Sequence, residues 1–475
     1  MQSTKSIKTL QAELLDGSLK LIDHINSHLA AIEKSKDLNI YIEVFEEEIK
    51  SAANALQDKI EKSPTELGKL FGVVFSIKDV LCYKDHKVTA ASKILDGFES
   101  QFTATAIQRI LDEDGLIIGR TNCDEFAMGS SNENSVYGVC KNGHGENRVP
   151  GGSSGGAAVS VQMHTCDVAL GTDTGGSVRQ PAAFCGVVGM KPTYGRISRY
   201  GLIAYASSFD QLGLLGHYVE DIARVLEIVA GKDEFDATSS SKAIDSYAAI
   251  ETIKNKKFAY FNEVVDHPKL NENIKSSTFD LFEKLRSEGH AVNDVEFEYL
   301  DYLVPTYYVL TTAEASSNLS RYDGVRYGHR SEQVKSFNDL YQKTRTEGFG
   351  LEVKRRVMLG TFVLSSGYYD AYYSKAQKVR NKISKSISKL LEEYDYIVMP
   401  TTTDIAWEIG AFDKDPVAIY LSDVFTVLAN LCGLPAISVP LGKDSDGHSY
   451  GIQLISSKYN EAKLLNAAFS FQRLV

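Results

Sequence analysis

Two short segments crowded with small residues hold the hydroxyls best placed to do chemistry. Val149-Pro-Gly-Gly-Ser-Ser-Gly-Gly156 is long and serine-rich for an ordinary turn, and its glycines let a backbone approach a ligand or take positive φ. Gly171-Thr-Asp-Thr-Gly-Gly-Ser-Val-Arg179 follows, with Ser177 placed after two glycines. Consecutive N–H groups can converge there beside a hydroxyl, as an oxyanion hole requires. A phosphate cradle is the competing reading of the first segment, but no Gly-Lys-Ser/Thr follows it and no dinucleotide spacing is present.

A serine nucleophile needs a base. The nearest histidines, His144 and His164, have no Asp-His context, whereas Lys78 ends an apolar run and precedes Asp79. Alone, Lys78 reads as a salt-bridged or snorkelling side chain, because a buried amine is costly unless paired. Beside two serine segments it reads as a base. Burial lowers a lysine pKa from about 10.4 towards neutrality, and Ser153 can then pass a proton between Lys78 and Ser177.

These residues need rigid elements to hold them. Phe71–Lys78 and Gly115–Gly119 read as buried strands, and Ala104–Asp114 between them as a helix with Ile107, Ile110 and Leu111 on one face. Such alternation suggests an α/β layer architecture. Two amphipathic helices are expected before it, one carrying Leu21, Ile25, His28, Leu29 and Ile32, the other Phe45 to Ile60 and ended by Ser63-Pro64. After it, the polar stretch 231–256 is a candidate internal joint. A strand at Phe258–Phe261, a helix through Ile274, Thr278, Leu281 and Leu285 closed by Gly289, and a strand near Val292 come next. Tyr-rich helices over about 306–393 and strands near Ile397 and Ile437 complete the expected order. No internal repeat or low-complexity tract is present.

Composition narrows the function classes. The 475 residues are 43% hydrophobic and 24% charged, which excludes disorder and a disulfide scaffold. The net charge of −11 excludes a general nucleic-acid binder, which needs a basic face. The most basic stretch, Lys375 to Lys389, reads first as the solvated side of a helix. Six scattered cysteines with no CxxC pair point to a reducing compartment, and no metal ligand is expected. Met1–Leu10 is polar, unlike a signal peptide, and Val424–Gly442, interrupted by Asn430, Pro435 and Pro440, reads as a buried helix-turn-strand rather than a membrane span. A cytoplasmic protein with no membrane contact is expected.

Lys78, Ser153 and Ser177, separated by 75 and 24 residues, resemble the Ser–cisSer–Lys triad of the amidase signature family, and Gly171–Gly195 resembles the family signature almost residue for residue. The resemblance runs from about Leu10 to Phe471. It implies an α/β fold with a large mixed β-sheet core flanked by helices on both faces, and one amidase domain over 1–475. That domain would comprise N-terminal helices (about 1–65), the catalytic signature region (about 70–230) and an α/β lobe with C-terminal elements completing the core (about 231–475). Asn122–Ser135, Glu314–Asp323, Lys354–Phe362 and Tyr420–Pro440 resemble one branch of the family, the glutamine-hydrolysing subunits of tRNA-dependent amidotransferases. Stand-alone amidases acting on other carboxamides, the alternative, share mainly the triad region. Two segments depart from the family pattern: 141–148 lacks the usual Asn-Pro-aromatic-Asp, and Leu214 stands where proline is common.

The resemblance also implies roles. Ser177 would attack a carboxamide, Ser153, in a cis peptide, would relay the proton to Lys78, and the N–H groups of Thr174, Gly175, Gly176 and Ser177 would receive the oxyanion. Arg356 and Asp423 would hold the carboxylate and ammonium of glutamine, with Tyr308 lining the pocket; the plainer readings are a surface pair for Arg356 and a helix cap for Asp423. Asp173 and Arg179 would brace the nucleophile loop. Ammonia would pass to a B subunit that uses ATP and Mg to amidate Glu-tRNA(Gln) or Asp-tRNA(Asn), with a small C subunit bracing the heterotrimer and tRNA held mainly by B. This chain itself would carry no cofactor.

Overall fold

The computed structural model describes residues 5–145, 147–412 and 418–474. Its frame is one mixed sheet of 11 strands. In chain order these are β1 (Tyr41–Val44), β2 (Val74–Lys78), β3 (Leu116–Thr121), β4 (Val168–Thr172), β5 (Val188–Lys191), β6 (Leu212–Gly216), β7 (Lys257–Phe261), β8 (Ala291–Val295), β9 (Tyr396–Pro400), β10 (Ala436–Lys443) and β11 (Ser449–Ile455). Across the sheet the order is β1-β3-β2-β4-β6-β5-β10-β11-β9-β7-β8. β2 runs parallel to both β3 and β4, while β4, β6, β5, β10, β11 and β9 are joined through antiparallel pairs.

The central strands are buried on both faces, and the two-residue period of a strand divides their side chains between two cores. Phe75, Ile77, Val168, Leu170 and Leu214 enter one core with the helices Thr105–Asp112, Val219–Val229 and Glu461–Leu474. Val74, Ile118, Ala169 and Leu215 enter the other with the helices Leu21–Lys34, Glu46–Lys62 and Gly155–Gln162. Lys78 shares its pleat face with Val74 and Ser76, and Ser76 meets Ser160 of the helix Gly155–Gln162 at 2.9 Å. Register therefore aims the lysine towards the serine segment that leads into that helix. In the parallel β2–β4 pair, Ile77 lies opposite Leu170, so Lys78 and Gly171-Thr172 leave the sheet side by side.

Most expected elements are present with shifted bounds, since Phe71–Val73 stays outside β2 and the helix read over 104–114 spans Thr105–Asp112. The helix Ile7–Asp16, capped by Ser6, was not foreseen. The polar stretch 231–256 carries no helix or strand, yet it is strapped down. Arg196 donates to the Tyr247 hydroxyl at 2.6 Å and to the carbonyls of Lys242 and Ala243 at 2.9 and 2.7 Å. The lysines of the basic stretch lie exposed on the helix Lys375–Glu393, whereas Arg380 turns inward, its guanidinium 4.1 Å from the Phe209 ring centroid. The segment after Val424 is a buried helix, Val427–Cys432, followed by β10, and no helix among the described residues is long and apolar enough to cross a membrane. Leu214 is absorbed into the core opposite Leu170 and Met190. In the other departing segment, Glu146 lies outside the described residues, and Asn142 holds the loop by donating to the carbonyls of Val149 and Phe184.

Candidate active site

Lys78 is fully buried at the end of β2, and its Nζ donates to three hydroxyls: Ser153 Oγ at 2.7 Å, Thr172 Oγ1 at 2.9 Å and Ser154 Oγ at 3.0 Å. Burial lowers its pKa to about 8, against the pull of Asp124, Asp173 and Asp210. Three neutral acceptors and no contacting carboxylate leave the amine able to give up its proton near neutral pH. The salt-bridge and snorkelling readings both fail here. The neighbouring Asp79 is committed elsewhere, accepting from Thr89 and Ala91 N–H groups at 3.0 and 2.8 Å and pairing with Arg120.

The peptide bond Gly152–Ser153 is cis. Around it the loop is packed too closely for side chains. A Cβ on Gly152 would lie 2.2 Å from an Asp124 carboxylate oxygen, and Asp124 N–H donates to the Ser153 carbonyl at 3.2 Å. The Ser154 N–H then donates to the Ser177 carbonyl at 3.1 Å, tying the two serine segments together. Ser177 is 8% exposed, whereas Ser153 and Lys78 are sealed.

The nucleophile loop is built around Asp173. Its carboxylate accepts from the N–H groups of Gly176 (3.0 Å) and Val178 (3.2 Å), from Asn430 Nδ2 (2.9 Å), and from Arg179 Nε and Nη2 (both 3.0 Å). Burial opposes its ionisation, but Arg179, Lys191 and Asn430 together hold its pKa down at about 2. Arg179 also reaches the Thr426 carbonyl, Gln453 and Asn430, at 2.9, 2.9 and 2.7 Å. This is the brace expected of Asp173 and Arg179. Of the N–H groups expected as oxyanion donors, that of Gly176 is already bonded to Asp173. Thr174 is itself fixed, donating from its hydroxyl to Asp210 at 2.7 Å.

Both loop glycines are required by their surroundings. A Cβ on Gly175 would lie 2.5 Å from the Tyr307 ring, and one on Gly176, at φ +137°, would lie 2.2 Å from Thr426 Oγ1. Gly176→Ala is therefore expected to lower kcat at least about 100-fold and to cost about 1–3 kcal/mol of stability. Steady-state kinetics together with urea unfolding check both parts; full activity would show that the loop yields without losing its geometry.

The same helix, Leu300–Asn318, connects this loop to a second polar centre. Tyr307 covers Gly175, and the adjacent Tyr308 donates to Asp423 Oδ2 at 3.1 Å, where Ser130 also donates at 2.9 Å. Arg356 sits beside them, 4% exposed, with its guanidinium 5.2–5.6 Å from the ring centroids of Tyr308, Tyr420 and Tyr205. It donates to Glu352 at 2.7 Å and to the Tyr205 hydroxyl at 3.0 Å. The surface-pair reading of Arg356 is thus excluded by burial. Asp423 does not cap the helix either: that helix begins at Val427, and the Asp423 carboxylate faces Tyr308 and Ser130. Burial pushes Asp423 up to about 7. The structure brings all three expected pocket residues together and adds Tyr205, Tyr420, Glu352 and Ser130. Glu352 left a local signal in the sequence, one helical turn before Arg356, while Ser130 and Tyr420 lie in segments that resemble the amidotransferase branch.

Similarity to known proteins agrees with this geometry. The Amidase family profile matches residues 23–465. The chain is 47% identical over 471 residues to the glutamyl-tRNA(Gln) amidotransferase A subunit of Chlorobium chlorochromatii, covering 98% of this chain and 99% of that protein. It is 47% identical over 470 residues to the like-named protein of Prosthecochloris aestuarii, covering 98% of each. Among solved structures, the glutamyl-tRNA(Gln) amidotransferase A subunit of Thermotoga maritima superposes with a TM-score of 0.75 at 39% identity, covering 90% of this chain and 92% of that one. The peptide amidase of Stenotrophomonas maltophilia superposes at 0.83 with 25% identity, covering 99% and 97%. With the profile spanning nearly the whole chain and the sheet, the cis-serine loop and the buried lysine all in place, the chain belongs to the Amidase family, the amidase signature enzymes.

Proposed function

We propose that this chain is the glutamine-hydrolysing subunit of a tRNA-dependent amidotransferase. The observation that carries the reading is that a buried carboxylate, Asp423, and a buried guanidinium, Arg356, flank the same residue, Tyr308, which donates to the first and lies with its ring under the second. An amide without charged ends has no use for such a pair, whereas glutamine presents an ammonium to the first and a carboxylate to the second. The amidotransferase relatives, in sequence and in structure, support the same assignment.

In this mechanism Lys78, as the neutral amine, withdraws a proton through Ser153 from Ser177. Ser177 Oγ attacks the side-chain carbonyl carbon of glutamine, and the N–H groups of Thr174, Gly175 and Ser177 receive the oxyanion. The proton returns through Ser153 to the leaving nitrogen, which departs as ammonia, and water releases glutamate from the acyl-serine by the reverse relay. Ammonia then passes to a partner B subunit that amidates the misacylated tRNA with ATP and Mg, a C subunit completing the heterotrimer. No nucleotide role falls to this chain.

Two ionisations shape the pH dependence. Lys78 acts only when deprotonated, so activity falls as pH drops through about 8. Asp423 binds an ammonium only when ionised, so a second loss sets in below about 7. The logarithm of kcat/KM for glutamine is expected to rise with slope near one between these values and near two below them. In Asp423→Asn the lower limb should keep a slope of about one, with KM for glutamine raised about 100-fold and turnover of an uncharged amide little changed. Equal losses on both substrates would remove Asp423 from glutamine recognition and favour a stand-alone amidase.

A further inference from the structure

No metal ligand is expected from the sequence, where His28 reads as part of an apolar helix face. The fold nevertheless brings two histidines and an aspartate together at the ends of β2 and β4 away from the triad. His24 and His28, one turn apart on the helix Leu21–Lys34, meet Asp167, the residue before β4. His24 Nε2 lies 3.0 Å from Asp167 Oδ2 and 3.2 Å from His28 Nε2, and His28 Nε2 lies 3.4 Å from Asp167 Oδ1. Zinc bonds of about 2.0–2.1 Å in a tetrahedron place neighbouring ligand atoms about 3.3 Å apart; the imidazole–imidazole and imidazole–carboxylate contacts are of that length, shared over the two Asp167 oxygens, and one ligand atom from each residue lies within 4.8 Å of the others.

The surroundings suit a cation as well. His28 Nδ1 lies 2.8 Å from the His164 carbonyl, a contact that makes Nδ1 the protonated nitrogen and leaves the Nε2 lone pair facing inward. Val74 N–H donates to Asp167 Oδ2 at 2.8 Å, fixing the carboxylate against the start of β2. The three groups border a cavity of about 290 Å³ that is also lined by Lys5, Asp23, His164, Cys166, His217 and Asp221, with room beside them for water. As metal ligands, two imidazoles and one carboxylate would together bring a single negative charge to the ion.

We propose that His24, His28 and Asp167 bind one zinc-class divalent cation, with water from the adjoining cavity as the fourth ligand. The ion would pin the helix Leu21–Lys34 to the starts of β2 and β4. The far ends of these two strands carry Lys78 and Thr172, about 15 Å away at a strand rise of about 3.3 Å per residue. The role is structural, since the ion does not approach the reacting atoms.

The test uses the full chain, stripped with a chelator and titrated with Co(II). Visible d–d bands of tetrahedral intensity are expected to grow to about one equivalent and to be bleached by Zn(II). Zinc should raise Tm by about 2–4 °C in the native chain and leave His24→Gln unmoved. His24 sits at the cavity edge, so its replacement tests the ligand without emptying the core, and His28→Gln should likewise lose the bands. Absence of the bands in the native chain, or zinc binding unaltered in His24→Gln, overturns the proposal. The cluster is then an imidazolium–carboxylate pair.

Discussion

Ser177→Ala is expected to abolish glutamine-dependent amidation, by at least about 10⁴-fold, while ammonia-dependent amidation by the same assembled enzyme continues. The argument rests on which atoms the hydroxyl supplies. Ser177 is the accessible member of the constellation and follows two glycines at which a side chain would not fit. Removing one oxygen leaves the Asp173–Arg179 brace and the Ser154–Ser177 backbone bond intact, so the fold and the partner surface should be unaffected. Free ammonia bypasses the hydrolytic site altogether. The two activities should therefore separate cleanly in parallel assays with glutamine and with ammonium as donor. Retention of glutamine use would show that Ser177 is not the nucleophile.

Lys78→Met is expected to be nearly as damaging to glutaminase activity, about 10⁴-fold or more, for a different reason. It removes the proton acceptor and leaves the nucleophile in place. Stability should respond in the opposite sense. Burying an amine costs free energy, and methionine fills a similar volume without that penalty. Ser154 Oγ already donates to the Thr172 carbonyl at 3.0 Å, so at least one of the three hydroxyls keeps a partner without the lysine. Thermal unfolding is expected to show a Tm equal to or above that of the native chain alongside the lost activity. A large fall in Tm would mean that Lys78 is a structural hub first and that the activity loss is secondary.

Lys78 and the two serine segments stand out in the sequence because their cues are local. Glycine and serine crowding is visible in any short window, and a lysine at the end of an apolar run stands out wherever it occurs. The α/β alternation around it was legible too, through short apolar runs punctuated by glycine. The pocket was harder to read. Arg356, Asp423 and Tyr308 come from three distant segments, and their convergence depends on how the helix Leu300–Asn318 crosses the nucleophile loop. Tyr205 carries no pattern that distinguishes it from other tyrosines, and Ser130 and Tyr420, although they lie in segments with a family resemblance, have no local cue to their role, so the folded chain reveals them. The Gly176 N–H illustrates a different limit: spacing indicates that several donors can converge, whereas the bond to Asp173 that redirects one of them is a matter of tertiary geometry. The same holds for His28, whose apolar helical spacing concealed its approach to Asp167 across 139 residues. The helix Ile7–Asp16 was missed because its buried stripe of Ile7, Leu10 and Leu14 is short and lies in a polar stretch, with Ser6 as the one local start signal.

The central claim is that glutamine hydrolysis at this site serves a partner. Ammonia release from glutamine by the purified chain, alone and then with the B and C subunits, misacylated tRNA and ATP, tests it most directly. Release that rises sharply when the partners and their substrates are present is the predicted result. Equal release from glutamine and from simple uncharged amides, indifferent to the partners, would contradict the account and identify a stand-alone amidase.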